Sequence, residues 1–262
     1  MTTLALFSDV HANLPALEAV LADMGARDEV DAAYCLGDLV GYAPWPNEVV
    51  EAVRERRIPT IAGNYDEGVG LGSDDCGCAY QAEEDKRRGA ESIAFTNDVV
   101  SGENRRYLRG LPRHLRLRLR APREPETEPV VRVLFVHGSP RRTNEYLFED
   151  RPDRTFHRRM EAESADVLCF GHTHKPYHKA LEYETDDGGE KRVRHAVNIG
   201  SVGKPKDGDP RACYVLLRLD PEATAPVEVE HVRVPYDVER AAGAVEESPL
   251  PDAFAEMLRD AR

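Results

Sequence analysis

Short apolar runs and amphipathic segments alternate along the first 64 residues of the chain. The apolar runs at 4–7, 32–36 and 58–62 have the length and composition of buried strands. Between them, residues 13–24 and 47–56 carry apolar side chains at helical spacing. This order of strand, helix and strand predicts a parallel sheet, in which ligands bind at the carboxyl ends of the strands.

The pattern changes after residue 68 and later returns to strands. Residues 68–111 predict a loop and two or three polar helices, the last of them capped by Ser101. Leucine alternates with arginine over 114–120, which predicts a strand with one face in water, and residues 121–129 predict a hairpin tip. Further strands are predicted at 130–136, 166–170, 180–183, 193–199, 212–219 and 227–234. Further helices are predicted at 153–162, 238–246 and 252–259.

Residue types that bind metals follow five of the predicted strands. They are Asp9 with His11, Asp38, Asn64, His137, and His172 with His174. Glycine adjoins four of these five strand ends, where it lets the backbone turn sharply and leaves room for an ion or a phosphate. Each residue alone is most simply a loop carboxylate, a capping residue or an ordinary histidine. Five such strand ends in order instead predict a metal site. Its nitrogen and oxygen donors favour Mn, Fe, Zn, Co or Ni over Ca or Mg.

Composition narrows the classes of partner. The chain has 48 acidic and 35 basic residues and a net charge of −13, which argues against nonspecific binding of nucleic acid or anionic membranes. No segment approaches the ~20 apolar residues of a membrane span, and the N-terminus opens in a strand-like run without the features of a signal peptide. We therefore expect a cytoplasmic protein. The oligomeric state stays open.

The five cysteines fall into two kinds. Cys35, Cys169 and Cys213 lie inside apolar strand-like runs and are expected to be core thiols. Cys76 and Cys78 lie in a loop rich in glycine and aspartate. A CxC pair can bind a metal or act in redox chemistry, but no second pair completes a thiolate site here. We therefore expect no thiolate metal site, and the role of the pair is left open.

The strand-end motifs resemble those of the calcineurin-like metallophosphoesterase superfamily, whose pattern in chain order is DxH, GD, GNH[DE], H and GHxH. The resemblance covers the whole chain. The stretches SDVHAN, GDLVGY, HGSP and GSVG look closest to a branch of small bacterial and archaeal enzymes described as phosphodiesterase-like or dinucleoside-polyphosphatase-like. The resemblance implies a four-layer α/β/β/α sandwich of two mixed sheets, forming a single domain over residues 1–262. Within it, residues 68–120 would be a small helical cap insertion over the metal cleft, and residues 235–262 would be helices that pack on the core.

The resemblance also implies a metal-dependent phosphoesterase with two adjacent divalent transition metals. Manganese is the first expectation for these metals. Asp38 and a solvent would bridge them, and the remaining ligands would divide into two sets. One set is Asp9, His11 and His174, and the other is Asn64, His137 and His172. A bridging hydroxide would attack phosphorus in line, with the Asn64 amide stabilising the developing charge.

The expected substrate is a small phosphorylated molecule, either a phosphodiester or a phosphomonoester. The alternative is a phosphoanhydride, such as a dinucleoside polyphosphate or another nucleotide. Arg141 or Arg142, and Lys204 or Lys206, follow the motifs and are candidates for contacting a second phosphate or a nucleotide. Surface solvation is the alternative for each of these four side chains.

Two rival functions use the same residues differently. A phosphatase with Asp9 as covalent nucleophile would need a second aspartate two residues on, where this chain has His11, and it would leave the later histidines unexplained. A non-catalytic, protein-binding scaffold is the other rival, since superfamily members can lose ligands. In this chain every ligand position is filled.

One position departs from the superfamily's pattern. The residue after Asn64 is usually a histidine that protonates the leaving oxygen or holds the phosphate; here it is Tyr65, followed by the expected Asp66. We expect Asn64, Tyr65 and Asp66 to be the catalytic side chains besides the metal ligands. A phenol with a pKa near ~10 is a poor general acid at neutral pH, although it can donate a hydrogen bond. The alternative is that Tyr65 only packs over the site while another group donates the proton.

We therefore expect a preference for aryl esters or phosphoanhydrides over alkyl monoesters, and we expect Tyr65→His to raise turnover on alkyl phosphates. The reason is that loss of a general acid costs on the order of 10²–10⁴ in rate for a poor leaving group and much less for a good one. Steady-state assays of both proteins on one alkyl and one aryl phosphate measure the effect. Lower turnover of the variant on every substrate would contradict this expectation.

Overall fold

The computed structural model describes residues 1–78, 82–120, 130–184 and 191–262. The strands in these ranges are β1 (Thr2–Phe7), β2 (Ala32–Cys35), β3 (His114–Arg120), β4 (Val130–Val136), β5 (Val167–Phe170), β6 (Tyr177–Glu184), β7 (Lys191–Asn198), β8 (Ala212–Leu219) and β9 (Val227–Val234). The helices are α1 (Leu14–Gly25), α2 (Pro46–Glu55), α3 (Asn64–Leu71), α4 (Glu83–Val99), α5 (Gly102–Arg109), α6 (Asp153–Ala162), α7 (Val238–Glu246) and α8 (Ala253–Asp260). The predicted hairpin tip at 121–129 lies outside the described residues.

The strands form two mixed sheets. One has the order β2-β1-β8-β9, with β1 and β2 parallel and the other pairs antiparallel. The other has the order β3-β4-β5-β7-β6, with β4, β5 and β7 parallel and both edge strands antiparallel. Apolar side chains of both sheets, such as Leu6, Phe135 and Leu217, belong to one buried cluster. The sheets therefore pack face to face.

Helices cover the outer faces of both sheets. Leu17 of α1, Val50 of α2 and Phe254 of α8 share a core with Phe7 of β1. Phe156 of α6 lies in a smaller core on the outer side of the other sheet. This arrangement confirms the predicted four-layer α/β/β/α fold in a single domain. In the described ranges, no helix is long and apolar enough to cross a membrane.

The predicted strand at 58–62 is wrong in its extent. The structure has only one parallel bridge there, between Cys35 and Thr60. Pro59 has no N–H and therefore cannot donate to a ladder. The next ladder position is also lost, because Gly63 N–H donates to Asp66 Oδ2 at 2.9 Å. The segment still delivers Gly63 and Asn64 to the end of β2.

The segment after Asn64 is helical earlier than predicted, because α3 already begins at that residue. α4 and α5 follow as polar helices, and Ser101 caps α5 by accepting a hydrogen bond from Asn104 N at 3.1 Å. β3 is the edge strand of the five-stranded sheet. The assignment of residues 68–120 as a cap stays a prediction, as does the assignment of residues 235–262.

Candidate metal centre

The two sheets bring the predicted metal-binding residues together at one edge. Two groups of three residues have potential donor atoms within 4.8 Å of one another. The first group is Asp9, His11 and His174, and the second is Asp38, His137 and His172. Asn64 is buried at the start of α3. These seven side chains are called the candidate ligands below, and all are almost completely shielded from solvent.

The backbone at most of these residues is strained. Five candidate ligands have positive φ, which is uncommon for residues other than glycine. The angles are 53° at Asp9, 49° at His11, 54° at Asp38, 65° at His172 and 59° at His174. Each such residue costs on the order of 1–3 kcal/mol and persists only where the surroundings hold it in place. The concentration of strain at one edge points to a functional site.

Two glycines leave room for the carboxylates. A Cβ added to Gly171 would collide with Asp9 Oδ2, and one added to Gly63 would collide with Asp38 Oδ1. Gly63 and Gly171 are therefore explained by close approach to the candidate ligands.

Backbone carbonyls orient three of the four candidate histidines. Each carbonyl accepts a hydrogen bond from Nδ1 and leaves Nε2 as the lone-pair nitrogen that faces the site. The pairs are His11 with Val40 O at 3.0 Å, His137 with Leu36 O at 2.8 Å, and His174 with Lys204 O at 2.5 Å. As a result, His11 Nε2 and His174 Nε2 face each other at 3.1 Å. Two lone pairs at that distance repel, and a cation bound to both would remove the repulsion.

Several buried polar atoms of the candidate ligands lack a hydrogen-bond partner among the described residues. They are Asp9 Oδ1, Asn64 Oδ1, His137 Nε2 and His172 Nε2. A buried polar atom without a partner costs about 1–3 kcal/mol. All four atom types are good donors to divalent transition metals. The residues present therefore fit the metals that the sequence predicts.

Burial and neighbouring charge set the protonation of the histidines. Burial lowers the pKa of His11 to about 3, and it lowers the pKa values of His172 and His174 well below the usual range. These rings are neutral, which is the form that binds metal. Burial also acts to lower the pKa of His137, but the carboxylates of Asp38 and Asp9 raise it to about 10. The same negative field would attract a metal cation.

Asp38 faces both groups of ligands. Its Oδ2 lies 3.2 Å from His137 Nε2 and 3.7 Å from His11 Nε2. Its Oδ1 accepts a hydrogen bond from Tyr65 N at 2.9 Å, which fixes the carboxylate in this orientation.

Asp66, which the sequence predicts as catalytic, contacts backbone instead of the other candidate side chains. Its Oδ2 accepts hydrogen bonds from Asp38 N at 2.7 Å and Gly63 N at 2.9 Å, and its Oδ1 accepts one from Leu39 N at 2.9 Å. Burial raises its pKa to about 7. Asp66 thus ties the Asp38 loop to the start of α3, and a catalytic role stays a prediction.

Tyr65 is buried against the ligands. Its ring packs edge-on against His11 with centroids 5.4 Å apart, and its centroid lies 4.9 Å from that of Tyr42. A Cβ on Gly41 would lie 2.5 Å from the Tyr65 ring, so this glycine makes space for the phenol. These contacts agree with the packing alternative, and the catalytic prediction for Tyr65 is still to be tested.

The predicted substrate contacts lie on opposite flanks. Lys204 is buried, and its Nζ lies 4.8 Å from the centre of the Tyr42 ring. Arg141 is exposed and lines a cavity of about 540 Å³ that also reaches Asn64 and His137. The role of both side chains in substrate binding stays a prediction.

Sequence reasoning missed two contacts at the site. The Tyr146 ring stacks on His172 at 4.1 Å with an interplanar angle of 18°. Cys78 Sγ accepts a hydrogen bond from Asn64 Nδ2 at 3.1 Å. Neither residue stands at a strand end or in a periodic pattern. Only the CxC spacing of Cys78 offered a signal.

Comparison with known proteins identifies the family. The sequence profile of the calcineurin-like phosphoesterase superfamily domain matches residues 2–222. The chain belongs to this superfamily. It is a metal-dependent phosphoesterase, a hydrolase that acts on phosphorylated substrates.

Whole-length relatives agree with the family. A protein of Methanocaldococcus jannaschii described as uncharacterized is 31% identical, over 97% of this chain and 96% of its own. A metallophosphoesterase structure from Sphaerobacter thermophilus is 29% identical with a TM-score of 0.71, covering 100% of this chain and 99% of that one. A hypothetical protein from Pyrococcus horikoshii shares the fold, with 23% identity, a TM-score of 0.76 and 98% coverage of both chains.

Gly171→Ala is expected to lower metal retention by about 10–100-fold, because the added Cβ displaces the Asp9 carboxylate that the Gly171 backbone now accommodates. Gly243→Ala in α7 is the matched control, since nothing lies within 4 Å of its added Cβ. Alanine there should stabilise the helix by about 0.5–1 kcal/mol. Metal content after dialysis against graded chelator, with thermal unfolding of both variants, measures the effects. Equal metal retention in the two variants would contradict the geometry.

Proposed function

We propose that the protein hydrolyses small phosphate esters, phosphodiesters or phosphomonoesters, at a centre of two divalent transition metals. The observation that carries the proposal is the position of Asp38, whose carboxylate faces His137 of one ligand group and His11 of the other. A carboxylate between two groups of imidazole ligands is the donor that two adjacent cations can share.

The proposed assignment divides the candidate ligands between two sites that share Asp38. Asp9, His11 and His174 would hold one ion, and Asn64, His137 and His172 would hold the other. Two such ions, when bound, supply Lewis acidity and a nucleophile derived from water near neutral pH. Manganese is our first choice for both ions, and Fe, Zn, Co and Ni suit the same donors.

Residues of the chain orient the candidate ligands and keep the site dry. Asn64 Nδ2 donates a hydrogen bond to Cys76 O at 3.0 Å, which directs the amide oxygen Oδ1 at the site. Oδ1 has no hydrogen-bond partner among the described residues. Asp66 holds the Asp38 loop against α3, which keeps the Asp38 carboxylate directed at the site. The site excludes bulk water, and fixed charges there act more strongly on a developing charge than they would in solution.

A covalent mechanism at Asp9 is disfavoured by its surroundings. Asp9 Oδ1 lies 3.3 Å from His174 Nε2 and 3.9 Å from His137 Nε2, and its Oδ2 accepts a hydrogen bond from His172 N at 3.1 Å. Oδ2 is therefore held by a hydrogen bond, and Oδ1 lies among imidazole nitrogens in the position of a metal ligand. This placement disfavours attack on phosphorus. Water is the proposed nucleophile.

A phosphoanhydride, such as a nucleotide with linked phosphates, is the second candidate substrate. Among the described residues, the buried Lys204 side chain has no ion pair. Burial lowers its pKa well below the usual range, and the neighbouring Lys206 contributes in the same direction. A buried cation without a counter-charge is costly. A second phosphate beside the one under attack would provide that counter-charge.

Dialysis against a chelator is expected to abolish turnover of bis(p-nitrophenyl) phosphate, and added Mn²⁺ is expected to restore it. Asp38→Asn should lower turnover by at least about 10²-fold, because it removes the charge that the two ions share. Asp98→Asn, at an exposed position in α4, is the matched control and should change turnover less than twofold.

Other results of this assay would overturn the proposal. A trapped phosphoenzyme would indicate the covalent mechanism at Asp9. A protein that binds two metals but hydrolyses no phosphate ester would indicate a binding scaffold.

Lys204→Met is expected to raise KM for a nucleoside diphosphate or dinucleoside polyphosphate by about 10–100-fold, the effect of losing one charge-assisted hydrogen bond. KM for the chromogenic diester, which has no second phosphate, should stay within twofold. The exposed Lys175→Met is the control. An equal rise in KM for both substrates would argue against a second-phosphate contact.

A further inference from the structure

A pair of cysteines holds the amide of one candidate ligand. Asn64 Nδ2 donates to Cys76 O at 3.0 Å and to Cys78 Sγ at 3.1 Å. With its nitrogen fixed in this way, the amide presents Oδ1 to the metal-binding edge, where it has no hydrogen-bond partner among the described residues. The pair therefore sets the direction of the Asn64 donor atom.

The same pair contacts the neighbouring tyrosine. The Tyr65 hydroxyl forms a hydrogen bond with the Cys76 thiol, and the Tyr65 ring packs on His11. The two residues that follow Gly63 are thus both tied to the cysteines, one through each sulfur.

The loop conformation brings the two sulfurs together. Gly77 between them has φ of +68°, in the left-handed region that favours glycine. Its N–H donates to Asp75 Oδ1 at 2.8 Å, and its carbonyl accepts from Asn144 Nδ2 at 2.6 Å. In this turn Cys76 Sγ and Cys78 Sγ lie 2.9 Å apart without a disulfide bond between them.

We propose that Cys76 and Cys78 are a redox modification site, in which a small peroxide converts the pair to a reversible disulfide that weakens metal binding through Asn64. The disulfide itself follows from the loop alone. Its effect on metal binding rests on the proposed function, because it requires Asn64 to be a ligand.

The chemistry balances with a peroxide as the oxidant. Cys78 is only half-buried whereas Cys76 is almost fully buried, so the peroxide meets Cys78 first. Its sulfur attacks one peroxide oxygen, the O–O bond breaks, and sulfenic acid and one water form. The Cys76 thiol then attacks the Cys78 sulfur, the S–O bond of the sulfenic acid breaks, and the hydroxyl leaves with the Cys76 proton as the second water when the oxidant is hydrogen peroxide. The two thiols lose two protons and two electrons in total, and the peroxide becomes two waters.

The disulfide changes what Asn64 and Tyr65 can bind. An S–S bond is about 2.05 Å long, so both sulfurs must leave their present positions. A disulfide sulfur has no proton to donate and accepts hydrogen bonds poorly, so Asn64 Nδ2 and the Tyr65 hydroxyl each lose a partner. Loss of an outer partner of a metal ligand typically lowers metal affinity by about 10–100-fold. A strained disulfide between such close residues is readily reduced, which makes the change reversible.

The test treats the full-length protein with hydrogen peroxide and then with a reductant. Peptide mapping by mass spectrometry is expected to find a Cys76–Cys78 disulfide after peroxide, with Cys35, Cys169 and Cys213 still reduced. The affinity for Mn²⁺, measured by equilibrium dialysis, should fall by about 10–100-fold and recover on reduction.

The double variant Cys76→Ser with Cys78→Ser is the matched control, because serine keeps an acceptor for Asn64 and cannot form the bond. Its affinity for Mn²⁺ should not change reversibly with peroxide. The redox site is overturned if no disulfide maps to this pair, and its coupling to the metals is overturned if the disulfide forms while Mn²⁺ affinity stays the same. If the reduced protein binds no metal, the proposed function is overturned instead. Peptide mapping would still decide whether the disulfide forms, because that result does not depend on metal binding.

Discussion

Negative charge packed among buried imidazoles is the constraint on which the rest of this structure depends. The carboxylates of Asp9 and Asp38 lie within 4 Å of histidine ring nitrogens on both sheets, and almost no water reaches them. Burial opposes both the charge of the carboxylates and the protonation of most of the rings. Divalent cations would relieve the repulsion between facing nitrogens and the cost of the buried charge together. Metal binding and folding stability are therefore expected to be coupled.

The fold satisfies this constraint with strained backbone turns on several elements that are distant in sequence. Strands of two sheets end at one edge, and the ligands follow in left-handed turns that short loops could not maintain alone. Asp66 joins the Asp38 turn to the start of α3 by accepting hydrogen bonds from Asp38 N and Gly63 N. Gly171 lets another turn approach the Asp9 carboxylate. The ligand geometry thus depends on residues that would not themselves bind a metal.

The local parts of this arrangement could be read from the sequence, and the long-range parts could not. Apolar runs ending in Asp9, Asp38 and His137 indicated both the strands and the chemistry, because strand pattern and ligand type are adjacent in the chain. The run at 58–62 was predicted to be a full strand from its apolar pattern, but Pro59 cannot donate to the ladder. Tyr146 and Cys78 were missed because they lie in loops that no periodic pattern describes, and their partners, His172 and Asn64, are distant in the chain.

The presence of tyrosine at position 65, where the superfamily usually has histidine, is best explained by its contact with the cysteine pair. A phenol is a poor general acid. The Tyr65 side chain, however, is long enough for its ring to pack on His11 while its hydroxyl reaches Cys76. Through Tyr65 and Asn64, the thiols contact one residue that packs against the first ligand group and one proposed to belong to the second. We therefore infer that the position after Asn64 serves here to position the metal centre, and that a substitution of Tyr65 acts on the thiols as well as on the substrate.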